Sequence, residues 1–155
     1  MSIKAEVRRT VNAPKEVVWA VLDDFPRISA WSAGIQNSYT TGDTEKVTGL
    51  GAERRCELGG RKILDERISA YTEGESMTID VWNVEGLPLK SSKATFSVRS
   101  TGVDTAEATI EAEAEPKVPG FVQKLAGGLL SRGIARNFGG LLDELATEAE
   151  SRVTA

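Results

Sequence analysis

Histidine is absent from the 155-residue chain. A Ser-His-Asp or Cys-His relay therefore cannot be assembled from it, and histidine-ligated zinc or iron centres are excluded. A single cysteine, Cys56, permits neither an intrachain disulfide nor a thiolate metal cage. No metal and no cofactor is expected. No apolar run approaches the ~20 residues that a membrane span needs. The opening residues Met-Ser-Ile-Lys-Ala-Glu-Val-Arg-Arg lack the apolar stretch of a signal peptide. A cytoplasmic protein without membrane insertion is the expectation. An excess of basic residues is missing too: 19 Lys and Arg stand against 23 Asp and Glu, a net charge of −4. Such a surface does not attract phosphate backbones or anionic lipid, so no nucleic-acid partner is expected and membrane-surface roles are disfavoured. Any acid–base chemistry must come from carboxylates, lysine, tyrosine or bound water. Hydrophobic residues at 40% and charged residues at 27% are ordinary for a globular domain. The length suits one domain, 1–155, with a real core.

What is present is a clear order of periodicities. Ile3, Ala5, Val7, Arg9 and Val11 alternate with Lys4, Glu6, Arg8 and Thr10, which predicts a half-buried strand over 3–11. Asn12-Ala13-Pro14 breaks it, and Pro14 suits the first turn of a helix. Val17, Val18, Val21, Leu22 and Phe25 then form one helical stripe over 15–25, stopped by Pro26. A second short helical turn, 27–33, carries Ile28 and Trp31. From 34 to 115 no helical period survives. Glycine-bearing turns separate alternating runs over 35–41, 52–58, 62–71, 76–85, 89–100 and 103–115, which predicts an antiparallel meander. In the last run Ala106, Ala108, Ile110, Ala112 and Ala114 face inward, and Glu107, Glu111, Glu113 and Glu115 form a solvated outer face rather than a metal site. A long helix is predicted from 121 to about 152. The expected architecture is therefore α+β. A curved seven-stranded antiparallel sheet wraps the C-terminal helix, and two short helices follow the first strand. The space left between sheet and helix is a cavity with apolar walls.

Strand parity selects the polar residues that enter this cavity. Arg54 shares a face with Ala52, Cys56 and Leu58, and Glu66 shares one with Leu64, Ile68 and Ala70. The Gly59-Gly60 turn brings the two charges side by side. Inside a cavity each needs the other, because an unpaired buried charge costs on the order of 3–5 kcal/mol. Two readings stay open. Arg54 and Glu66 orient a polar group of a ligand, with Glu66 the single candidate general base, or they form a structural pair plugging one end of the barrel. An intact pair argues against Glu66 as a base. The expected ligand walls are Trp31, Arg54, Glu66, Ile68, Ile79 and Phe96, completed by Phe121, Leu125 and Leu129 of the last helix. Cys56 is expected inward as an inert small hydrophobe, with Arg54 beside it to ease ionisation somewhat. Trp82 falls on the outer face unless a bulge shifts the register, and an exposed Trp82 leaves a homodimer open. Gly127, Gly128, Gly133, Gly139 and Gly140 each cost about 1 kcal/mol relative to alanine in a helix. Close approach to the sheet, room for a ligand, or a kink at Gly127-Gly128 that gates access with the Leu87-Pro88 loop would each explain them.

The opening "VNAPKEVVWAVLDDFPRISAWS", through Asn12-Ala13-Pro14, Val18-Trp19, Leu22, Asp24-Phe25 and Trp31, resembles the START/Bet v 1-like superfamily (SRPBCC) in its polyketide cyclase/dehydrase-type branch. "GLGAERRCEL" (49–58) looks like the family's third strand, and "ERISAYTEGESM" (66–77) like its fourth strand, hairpin and fifth strand. The resemblance covers nearly the whole chain. It implies a helix-grip fold around a ligand cavity and leaves the activity open, since one fold hosts many functions. The favoured expectation is binding of a hydrophobic or amphipathic small molecule, such as a lipid, polyketide-like aromatic or isoprenoid. A cyclase or dehydratase using the cavity carboxylate and arginine is the alternative, and an accessory protein with a filled cavity is the third.

Overall fold

In the computed structural model, which describes residues 2–43 and 45–154, the expected order of elements is present. Strand β1 (Ile3–Val11) leads through Pro14 into helix α1 (Lys15–Asp23). Pro14 stands just before the first helical residue, and its carbonyl accepts from the amides of Val17 and Val18 at 3.0 and 3.2 Å. Asp24 leaves helical geometry (φ −78°, ψ 56°), and a 3₁₀ helix, Phe25–Ala30, starts against Pro26. Strands β2 (Asn37–Thr41), β3 (Glu53–Gly59), β4 (Lys62–Thr72), β5 (Ser76–Glu85), β6 (Leu89–Ser100) and β7 (Ala106–Pro116) follow, then helix α2 (Gly120–Thr154). The seven strands form one sheet in the order β1-β7-β6-β5-β4-β3-β2, every neighbour antiparallel. Strand β7 begins at Ala106 rather than 103, because residues 101–105 close a turn in which the Thr101 amide donates to the Thr105 carbonyl at 3.0 Å.

Two irregularities decide which side chains face inward. Asp65 pairs with Asn83 and Glu66 with Val81, so Trp82 is the extra residue of a bulge in β5. Trp82 stands on the convex face, as alternation with the buried Met77, Ile79 and Val81 places it, with the Arg67 guanidinium over its ring at 5.8 Å. In β4, Ile68 pairs with Ile79 and Ala70 with Thr78, leaving Ser69 as the extra residue. The inward set consequently jumps from Ile68 to Tyr71. Ala70, expected inside by simple alternation, is exposed, and the Tyr71 hydroxyl donates to Asp23 at 2.7 Å.

The core gathers Val11, Val18, Val21, Ile68, Met77 and Ile110 against the last third of α2, where Leu142, Leu145, Ala146 and Ala149 are buried. Alanines on both α2 and β7 let helix and sheet approach closely. Helix α2 packs most extensively along β1. Ser131 donates to the Lys4 carbonyl at 2.7 Å, Arg9 pairs with Asp143, and the Asn12 amide donates to Glu150 at 2.8 Å. The helix runs unbroken through Gly127 and Gly128. Close approach does not explain its glycines either, since a Cβ on any of the five would meet nothing within 4 Å.

Candidate functional site

Because α2 follows the β1 side of the sheet, the concave face over β3 to β6 is left partly uncovered. A cavity of about 590 Å³ lies there. Leu130, Ile134, Phe138 and Leu141 of α2 form one wall, and Ile79, Val81, Ala94 and Phe96 of β5 and β6 the opposite one. Gly34 and Ile35 after the 3₁₀ helix, Leu87 and Leu89 around the β5–β6 turn, and Leu129 rim its mouth. Glu144 of α2 ties this rim down: its carboxylate accepts from the Ser32 hydroxyl at 3.2 Å and the Ala33 amide at 2.6 Å.

Buried at the inner end are two charges. Arg54 and Glu66 are direct cross-strand partners on β3 and β4, 4% and 8% exposed. The hairpin between these strands depends on Gly59 at φ +88°, where a Cβ would come within 2.6 Å of the Gln36 side chain. The Arg54 Nε donates to Glu66 Oε2 at 2.6 Å. Its Nη1 donates to the Phe25 carbonyl at 2.6 Å, and its guanidinium carbon lies 3.9 Å from the centre of the Phe25 ring. One nitrogen of Arg54 and one oxygen of Glu66 remain unengaged. Among the described residues neither Arg54 Nη2 nor Glu66 Oε1 has a protein hydrogen-bond partner, and both residues line the cavity.

A family model described as "Polyketide cyclase / dehydrase and lipid transport" matches residues 2–150. The chain belongs to this family. No curated protein is similar enough to match it. Solved structures similar to this family member share the fold at low sequence identity. A START superfamily protein from Mycobacterium smegmatis is 18% identical with a TM-score of 0.73, over 96% of this chain and 98% of the other. The Zhui aromatase/cyclase from Streptomyces sp. R1128 is 14% identical with a TM-score of 0.78, over 99% and 96%. A protein from Thermus thermophilus is 13% identical with a TM-score of 0.75, over 96% and 98%.

In this family member the expected site residues separate into three groups. Arg54, Glu66, Ile79 and Phe96 line the cavity together, and Leu129 stands at its rim, 71% exposed. Ile68 and Trp31 lie beside it. Ile68 is fully buried in the core, outside the cavity wall. Trp31 ends the 3₁₀ helix and fills a narrow cleft with Ile28, Arg54, Ile79 and Phe96, its indole N–H buried without an acceptor. Phe121 and Leu125 do not reach the cavity and are 66% and 86% exposed, which corrects their expected place in the wall. The reason is helical geometry. A series spaced by four residues drifts by about 40° per step. Phe121, Leu125 and Leu129 thus stand on a different side of α2 from Ile134, Phe138, Leu142 and Leu145. Ile134, Phe138, Leu141 and Glu144 line the cavity and were not among the expected walls. Their signal was the spacing 134, 138, 141, 145, continuous with the fully buried end of the helix.

Cys56 lies inward, with Sγ 3.9 Å from Glu66 Oε2. Burial pushes its thiol up to about 12, and the Glu66 charge adds to the effect, outweighing the opposite pull of Arg54. It stays protonated at neutral pH and is not a nucleophile there. Among the described residues no three Cys, Asp or Glu side chains are grouped to hold a metal ion.

Proposed function

We propose that the cavity binds an amphipathic small molecule, with its apolar body between Ile79, Phe96, Ile134 and Phe138 and a polar group at the Arg54–Glu66 pair. The observation that carries this reading is the unpartnered Arg54 Nη2 and Glu66 Oε1 at the inner end of an apolar space of about 590 Å³. A volume of this size suits a lipid fragment, a polycyclic aromatic or an isoprenoid. A hydroxyl or carboxyl group meets both unpartnered atoms at once, accepting from Arg54 and donating to Glu66. Titration with the fluorescent probe 8-anilinonaphthalene-1-sulfonate tests the site. The wild-type protein is expected to saturate, and Ile134→Trp, which fills the space from the helix side, to bind at least about tenfold more weakly, corresponding to ~1.4 kcal/mol. Equal affinity in the two proteins would remove the cavity from the reading. Native mass spectrometry of freshly purified protein then reads the mass of any co-purifying molecule.

Cyclase or dehydratase chemistry is the second reading: the Glu66 carboxylate reaches the cavity with Oε1 unpartnered, while its intact bond to Arg54 through Oε2 weighs against a role as base. In that case Glu66→Gln abolishes turnover of a polyketide-like substrate and leaves probe binding intact.

A further inference from the structure

Acidic residues are missing from one stretch of the chain. Between Pro116 and Leu142 there is no Asp or Glu, whereas Lys117, Lys124, Arg132 and Arg136 all fall there. The stretch carries +4 in a chain of net charge −4, so the remainder carries −8. All four cations are exposed, and among the described residues none is within ion-pair distance of a carboxylate. The same stretch holds Phe121, Leu125 and Leu129, three large exposed apolar side chains on successive turns of α2, within roughly 80° of arc. Arg132 and Arg136 continue that face. It lies beside the cavity mouth: Leu129 is part of the rim, and the Lys117 amide donates at 3.0 Å to the Pro88 carbonyl in the β5–β6 turn.

We propose that this face of α2 docks the protein on an anionic lipid bilayer, with the cavity mouth turned toward the membrane. Phe121, Leu125 and Leu129 enter the boundary between headgroups and acyl chains, and the four cations meet the lipid phosphates around them. The overall charge of −4 does not oppose this. A surface senses mainly the charge within a Debye length of about 8 Å, and the face turned to it carries the cations of a stretch that has no Asp or Glu. The acidic remainder is repelled, which fixes the orientation. A second copy is the poorer occupant, because two such faces would oppose like charges. Docking is peripheral, since no helix among the described residues is long and apolar enough to cross a membrane.

The inference does not rest on the ligand reading, and its test keeps the two apart. Sedimentation is measured with vesicles of phosphatidylcholine alone and of phosphatidylcholine mixed with phosphatidylglycerol. The wild-type protein is expected to sediment with the mixed vesicles, to stay in solution with phosphatidylcholine alone, and to be released by high salt. Removal of one cation near an anionic surface weakens binding roughly fivefold, so Arg132→Glu with Arg136→Glu is expected to weaken it more than tenfold. Phe121→Ser with Leu125→Ser is expected to abolish it. None of these four residues lines the cavity, so both variants should titrate with anilinonaphthalene sulfonate like the wild type, which also shows that they fold. Equal sedimentation with both lipid mixtures would overturn the proposal. So would a wild-type dimer in light scattering that Phe121→Ser with Leu125→Ser converts to a monomer while no vesicle binding is seen, which would assign the face to contact between copies.

Discussion

Arg54→Met is expected to destabilise the protein by about 3–5 kcal/mol, the cost of leaving one member of a buried ion pair alone. Three losses coincide. The Glu66 carboxylate keeps its burial and loses its 2.6 Å partner. The Phe25 carbonyl loses a charged donor at 2.6 Å, and the Phe25 ring loses the guanidinium above it. For a chain of this length about 2–4 °C of melting temperature follows each kcal/mol, so the midpoint should fall by about 6–20 °C. Arg54→Met combined with Glu66→Leu should recover most of that loss, because two apolar side chains of similar volume leave no charge to satisfy. Thermal unfolding followed by circular dichroism gives all the midpoints. A single substitution that moves the midpoint by less than about 2 °C would mean that the pair is solvated and that no polar recognition point exists inside the cavity.

The second large effect separates the two parts of α2. Leu145 is fully buried against the sheet, and truncation to alanine is expected to cost about 2–5 kcal/mol through lost burial and the void left behind. Leu125, 86% exposed on the same helix, should tolerate alanine within about 0.5 kcal/mol. Urea unfolding of both variants measures the contrast. Similar costs at the two positions would return Leu125 to the cavity wall and overturn this orientation of the helix.

How far the sequence could be read depended on the range of the interaction concerned. The Arg54–Glu66 pairing was legible because alternation and a two-glycine hairpin act over a dozen residues. Those two features suffice to set the charges opposite one another. The third partner, the Phe25 carbonyl, was hidden, because nothing local ties a helix terminus to a strand about thirty residues later. The inward place of Cys56 followed from parity. The balance between burial, Glu66 and Arg54 at its thiol did not, since it depends on how deep the site lies.

Simple alternation placed Trp82 correctly on the outer face but failed after Ser69, the extra residue of a bulge, where Ala70 turns out and Tyr71 turns in. The bulge at Ser69 brings Tyr71 inside, where it meets Asp23 and packs on Trp19 with ring centres 5.7 Å apart. On α2 a helix with leucine or phenylalanine on nearly every turn has several apolar stripes. Periodicity alone did not say which one meets the sheet.

By itself the sequence determined the element order, the single curved antiparallel sheet and the opposed charges on neighbouring strands. Backbone hydrogen bonding and residue period are local rules, and these features obey them. Only the tertiary structure decided which face of α2 is buried, how large a cavity remains and where its mouth opens. Those depend on the packing of a helix against strands distant in sequence, and on the two bulges that re-aim the walls.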